Sequence, residues 1–295
     1  MRKDVLLPGL AVAGGALGFG LRLLQWTTAY DPETQLFAPG APVTWALLLL
    51  SGALVLAFFL LSRDMKLSAD IQSAFRCPST GYMTMMAASA MLLLGGGVLG
   101  LLDGMAQLQL WRIDPETHLL TYPAALILCA LLCFLAGPAT LMLGKGAYRG
   151  ALAPVSSLLV VFPPMAALAW LFATHLAHGT DPVLMDYGFT LAAVALLMLA
   201  HYYTAAFFHN RPHPRRATFC ALMGVFLGLT SLADRPSAFY AALTAAFLLS
   251  ALANVWVLLR SSYGPPWPKR LLDARMPLGA KDEDADPDAA LNQDE

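Results

Sequence analysis

The sequence predicts an all-α, polytopic membrane helix bundle of eight transmembrane helices arranged as four hairpins. Three observations predict it. Hydrophobic residues make up 58% of the 295 and charged residues only 13%, about half the charged share of a soluble domain. Eight stretches are apolar over the roughly 20 residues that a bilayer crossing takes. The basic residues fall almost entirely into alternate connections, as in a chain that crosses repeatedly.

The spans in order are Val5–Tyr30, Ala41–Leu61, Tyr82–Leu110, Thr121–Leu143, Leu152–His178, Asp186–His209, Arg215–Ala233 and Ser237–Arg260. Each must be a helix, because hydrocarbon offers no partner to a free backbone N–H or C=O. Arg2 and Lys3 precede the first apolar run as in a signal peptide. That run is longer than a signal core and is echoed in the third span, so it reads as a retained helix. Pro138 interrupts the fourth span, and Pro163-Pro164 predicts a kink in the fifth. Residues 1–260 thus form the membrane domain and 261–295 a tail. In the tail, YGPPWP (Tyr263–Pro268) stops the last helix, Lys269–Arg275 is basic, and the acidic end over Asp282–Glu295 is expected to be disordered.

Fifteen of the 18 Lys and Arg residues lie in one alternate set of loops and tails, the opposite set holds only Arg112 and Arg235, and Arg22 lies within a span. The positive-inside rule then puts both termini in the cytoplasm. None of the four cysteines falls in an outer loop, so no disulfide framework is expected. Cys129 and Cys133 read as small packing residues. Trp26, Tyr30, Trp45, Trp111 and Tyr122 sit near outer span ends and read as an interfacial belt.

The hexapeptide DPETQL (Asp31–Leu36) recurs as DPETHL (Asp114–Leu119), and GGALG (Gly14–Gly18) recurs upstream as GGVLG (Gly96–Gly100). This pattern predicts that the first two hairpins are a parallel duplication. All four outer turns carry Asp followed closely by Pro: Asp31-Pro32, Asp114-Pro115, Asp181-Pro182 and Asp234-Arg235-Pro236. Asp caps a following turn and Pro tolerates its start, so a short interfacial helical turn is expected at each.

Two intramembrane charges stand out. Arg22 and Asp103 each precede an aromatic helix end (Tyr30 and Trp111) by eight residues, a depth of about 12 Å. Their side chains lean away from the nearer interface, and an unpaired charge there costs a few kcal/mol. An Arg22–Asp103 ion pair between the first and third helices is therefore expected, as a helix lock or as a substrate or proton site. His175, His178 and Asp181 form a candidate zinc set, although polar residues are expected at a membrane edge in any case. Arg211, Arg215 and Arg216, beside His201, Tyr202, Tyr203, His209 and His213, are a positive-inside signal first and a candidate headgroup contact second. Asn254 and Gln107 can supply interhelical hydrogen bonds. No phosphate loop, nucleophile elbow or dinucleotide fingerprint is present. No catalytic residue, cofactor or nucleic-acid partner is expected.

DPVLMDYGF (Asp181–Phe189), HYYTAAF (His201–Phe207), RPHPRR (Arg211–Arg216) and FLGLTSLAD (Phe226–Asp234), with DPETQL and PGAP (Pro39–Pro42), carry a resemblance over about half the chain. On these residues the chain resembles a family of uncharacterised multi-span membrane proteins of gut-type Gram-positive bacteria. The resemblance implies eight spans in a bacterial plasma membrane and carries over no catalytic residue. Two functions stay open. One is a non-enzymatic membrane component (scaffold, sensor or accessory subunit) with an unidentified membrane protein partner, favoured by the scarcity of intramembrane polar groups. The other is a small-solute or lipid transporter, favoured by the duplication, the charge pair and the kink. An intramembrane metal-dependent enzyme is a distant third.

Overall fold

The computed structural model describes residues 2–31, 33–34, 36–38, 40–65, 74–150, 152, 155–178 and 184–268. Among them are eight helical spans long and apolar enough to cross a membrane, so the chain is a multi-pass, all-α membrane protein. Helix α1 (Lys3–Thr28) is joined to α2 (Pro42–Leu61) through a two-residue antiparallel pair, β1 (Tyr30–Asp31) on β2 (Leu36–Phe37). Helices α3 (Thr80–Ile113) and α4 (Thr121–Arg149) follow. The fifth span comes in two pieces, α5 (Val155–Leu159) and α6 (Phe162–Ala177), and α7 (Leu184–Phe208) is the sixth. Helix α8 (Pro214–Ser231) runs into a 3-10 turn at Leu232–Asp234, and α9 (Ala238–Tyr263) closes the bundle.

Helices α8 and α9 are the axis of the bundle. Their apolar stretches are 78% and 72% buried, against 17% for α2. Helix α1 packs on α8, α3 packs on α9 and on α4, and α7 packs on α8. Glycine sets these approaches. A methyl group on Gly15 would stand 2.6 Å from the Leu229 side chain of α8, and one on Gly100 would stand 2.5 Å from the Phe239 ring of α9. The two glycine motifs therefore do equivalent work, each seating its helix on one of the two central helices. In hydrocarbon, close backbone approach replaces the hydrophobic drive that water would supply.

Both ends of the bundle are identified by contacts. The Lys3 ammonium lies 3.2 Å from the Leu61 carbonyl oxygen and 4.9 Å from the Tyr263 ring centroid, which places the start of α1 with the ends of α2 and α9. This is the terminal end. The turns after α1, α3 and α8 share the opposite end, the turn end.

Two local expectations are corrected. The double proline does not kink the fifth span but divides it: Pro163 and Pro164 occupy the first turn of α6, after a break at 160–161, where a missing N–H leaves no orphan. Pro138, by contrast, stays inside α4, which runs on to a left-handed Gly150 (φ 70°). At the first DPET motif no helix is found among the described residues; Glu33 and Thr34 form a turn between β1 and β2.

The aspartates of both DPET turns nevertheless cap in the same way. The Thr34 hydroxyl donates to Asp31 Oδ2 at 2.8 Å and the Glu33 amide donates to Oδ1 at 3.0 Å. The Thr117 hydroxyl and amide donate to Asp114. These donors, the threonine hydroxyl first in each case, hold both carboxyls below the ordinary range. A pKa lower in the folded than in the unfolded state favours the fold while the group is ionised. The contribution is full above the unfolded value of about 3.9 and fades as pH falls through the folded pKa. Thermal melts of the wild type should lose part of their midpoint below about pH 4, and Asp31→Asn/Asp114→Asn should flatten that acid limb. An unchanged limb would show that the turns do not titrate with folding.

Candidate functional site

At the turn end of the bundle, Arg22 of α1 is fully buried. It is on the glycine face, four residues after Gly18 and seven after Gly15, which α1 presents to α8. Its Nε donates to Asp234 Oδ1 at 2.6 Å, and its Nη1 donates to Gln25 Oε1 at 2.7 Å. Asp234 sits in the 3-10 turn that ends α8, with a side chain 10% exposed. Its carboxylate also accepts from Trp26 Nε1 at 2.8 Å and from the Thr190 hydroxyl of α7 at 3.3 Å. The Trp26, Phe37 and Phe189 rings stand 5.1–5.3 Å from the guanidinium carbon, within the range of cation–π attraction. One ion pair thus ties α1, the β1–β2 ribbon, α7 and the end of α8 together.

The expected Arg22–Asp103 pair does not form. Asp103 is exposed on α3 and makes no ion pair among the described residues. The reason is azimuth. Aligning Gly14 on Gly96 and Gly18 on Gly100 sets Arg22 against Gly104, not Asp103. Gly104 is buried, its α-carbon facing Ile127 of α4. Asp103 is one residue, about 100°, off that face. Trp26, read as an interfacial anchor, is part of the charge cluster. The signal that could have found the true partner was Asp234 itself, the aspartate of the fourth Asp-Pro turn.

The cluster opens sideways. Gln25 Nε2 donates to the Thr44 hydroxyl of α2 at 2.9 Å. Gln25 and Thr44 form the top of an apolar groove of about 400 Å³ between α2 and α7, lined further by Leu48, Ser51, Val55 and Phe189 and floored by Met223 and Leu227 of α8. One turn further toward the terminal end lies a second pocket of about 610 Å³. Its lining includes Phe59, Arg63, Tyr203, Arg215, Arg216 and Phe219. Arg215 and Arg216 thus face a defined cavity. Arg211 is exposed but does not line it.

His201 lies deep in the bundle rather than in the basic loop region. Its Nδ1 is 2.8 Å from the Leu197 carbonyl, which can only accept, so Nδ1 carries the proton. Its Nε2 then accepts from the Ser250 hydroxyl of α9 at 2.8 Å. One stripe of α9 continues this polar seam. The Ala246 carbonyl accepts from the Ser89 hydroxyl at 2.8 Å, and Asn254 Oδ1 accepts from the Tyr82 hydroxyl at 3.2 Å. Every one of these groups is satisfied, and the seam encloses a cavity of only about 10 Å³, room for a single water. It locks α3, α7 and α9 together and offers no path.

Among the described residues no group of three His, Cys, Asp or Glu side chains could hold a metal ion. His175 is exposed, and His178 stacks on Tyr187 with centroids 4.7 Å apart. Asp181 lies outside the described residues, as do residues 269–295 of the tail. No protein-family model, curated protein or solved structure matches this chain, so its site is read from its own geometry.

Proposed function

We propose that this protein is a non-enzymatic membrane component, a scaffold, sensor or accessory subunit that acts through its lateral surface. One observation carries the reading. The intramembrane charge best placed for transport, Arg22, is fully buried and saturated by Asp234 and Gln25, while α2 turns most of its apolar surface outward. A guanidinium already bound by a carboxylate inside a packed interface has no vacancy for a solute. The basic-residue asymmetry supports cytoplasmic termini, and the resemblance supports a bacterial plasma membrane. The paired DPET and glycine motifs support descent of the first two hairpins from one duplicated hairpin. A second reading, a lipid transporter, draws on the lateral groove between α2 and α7.

Photo-crosslinking in native membranes separates the two. A photoreactive residue at Leu49, 71% exposed on α2, should give one discrete protein adduct, and one at Leu47, 1% exposed, should give none. Lipid adducts alone from every exposed α2 position would overturn the accessory reading and favour lipid transport.

A further inference from the structure

The two pockets follow one another along one face of α2 and one face of α8. On α2 the lining runs Thr44, Leu48, Ser51, Val55, Phe59 and Ser62, a single helical face at spacings of three and four. On α8 it runs Arg216, Phe219, Met223 and Leu227, again one face. From Thr44 to Ser62 the α2 face is about 27 Å long, close to the roughly 30 Å of a bilayer's hydrocarbon core. Helix α2 packs on α1 and only lightly on α8, which leaves this side open to the bilayer.

The groove is chemically polarised. Toward the turn end its described lining is almost wholly apolar, with Gln25, Thr44 and Ser51 as the polar exceptions. At the terminal end, Arg63, Arg215 and Arg216 meet around the wider pocket. None of the three makes an ion pair among the described residues. The adjacent acid, Asp64, lies 3.7 Å from the Lys3 ammonium. Three cations converge on one cavity, and none of its described lining residues is a carboxylate. An occupant must be anionic at one end and a long apolar chain at the other.

We infer that this groove is a seat for one anionic phospholipid. Its phosphate is held by Arg63, Arg215 and Arg216, and an acyl chain lies along α8 between α2 and α7. The phosphate neutralises guanidinia that otherwise repel one another, and the chain fills a gap that bulk lipid enters with less order. The inference goes beyond the proposed function, which stands or falls on the crosslinking result.

The test is native mass spectrometry of the full chain released from phosphatidylcholine nanodiscs containing a minor share of phosphatidylglycerol. The wild type should retain one phosphatidylglycerol per chain in preference to phosphatidylcholine. Each cation near an anionic headgroup is worth about a factor of five, so Arg63→Gln/Arg215→Gln/Arg216→Gln should lower that preference on the order of 100-fold. The charge-matched Lys145→Gln/Arg149→Gln/Arg211→Gln, whose residues are exposed outside the groove, should leave it unchanged. Val55→Trp, which fills the groove without altering charge, should lower retention about ten-fold. Equal loss in the two triple variants would reduce the effect to general positive charge and overturn the seat. Full retention in Val55→Trp would overturn the acyl slot, and displacement by inorganic phosphate alone would overturn the lipid as occupant.

Discussion

Asp234→Ala is expected to cost about 3–5 kcal/mol of stability, because it leaves a buried guanidinium without its counter-charge. Arg22 is fully buried and Asp234 nearly so, so water cannot take the place of the lost carboxylate. The same change strands Trp26 Nε1 and the Thr190 hydroxyl, which share that carboxylate. In a chain of this size the midpoint of thermal unfolding should fall on the order of 10 °C, as read by fluorescence-detected size-exclusion after heating. Arg22→Met with Asp234→Leu should recover the part of the loss that comes from the unpaired guanidinium, since both charges leave together, while Trp26 Nε1, the Thr190 hydroxyl and Gln25 Oε1 stay without these partners. Asp103→Asn should leave the midpoint near its wild-type value, because the side chain is exposed and unpaired. A larger fall for Asp103→Asn than for Asp234→Ala would reverse the assignment.

Glycine replacement should have the second largest effect. At Gly15 an added carbon would stand 2.6–3.2 Å from Leu229, and at Gly100 2.5–3.2 Å from the Phe239 ring. Those neighbours are themselves packed in the core, so α1 must move off α8 and α3 off α9. Gly15→Leu and Gly100→Leu should each cost about 1–3 kcal/mol. The two sites lie on different helix pairs, so their costs should add to about 2–6 kcal/mol. Gly20 makes the contrast on the same helix, since nothing lies within 4 Å of its added carbon. Gly20→Ala should instead stabilise by about 0.5–1 kcal/mol through helix propensity. Equal melting of the Gly15, Gly20 and Gly100 variants would mean that the motifs do not set helix approach.

The spans were legible in the sequence because hydrocarbon leaves the backbone one solution. Predicted and observed helix ends mostly agree within three residues. The DPET carboxylates were legible as caps, because an aspartate three residues before a threonine has a local partner whatever the wider fold. What the sequence does not carry is rotation and long-range pairing. Depth along a helix follows from counting, but one residue turns the side chain by about 100°. That turn separates buried Arg22 from exposed Asp103. The partner Asp234 is 212 residues away, and its Asp-Arg-Pro context signals only turn chemistry. Trp26 and His201 lie near span ends as expected, but position near a span end says nothing about which way a ring faces, and here Trp26 bonds Asp234 and His201 bonds Ser250 inside the bundle. The β1–β2 ribbon was missed because Tyr30 and Phe37 pack their rings on each other and on Trp26, a tertiary contact that outweighs the helical start signal. The groove could not be seen at all, because it is formed by what α2 and α7 fail to touch.

One buried ion pair, Arg22–Asp234, closes the turn end of this bundle. A double-mutant cycle of Arg22→Gln and Asp234→Asn, run beside a cycle of Arg22→Gln and Asp103→Asn, tests it most directly. Unfolding free energies should show a coupling of at least about 2 kcal/mol for the first cycle and close to zero for the second. Coupling between Arg22 and Asp103 with none to Asp234 would contradict the account.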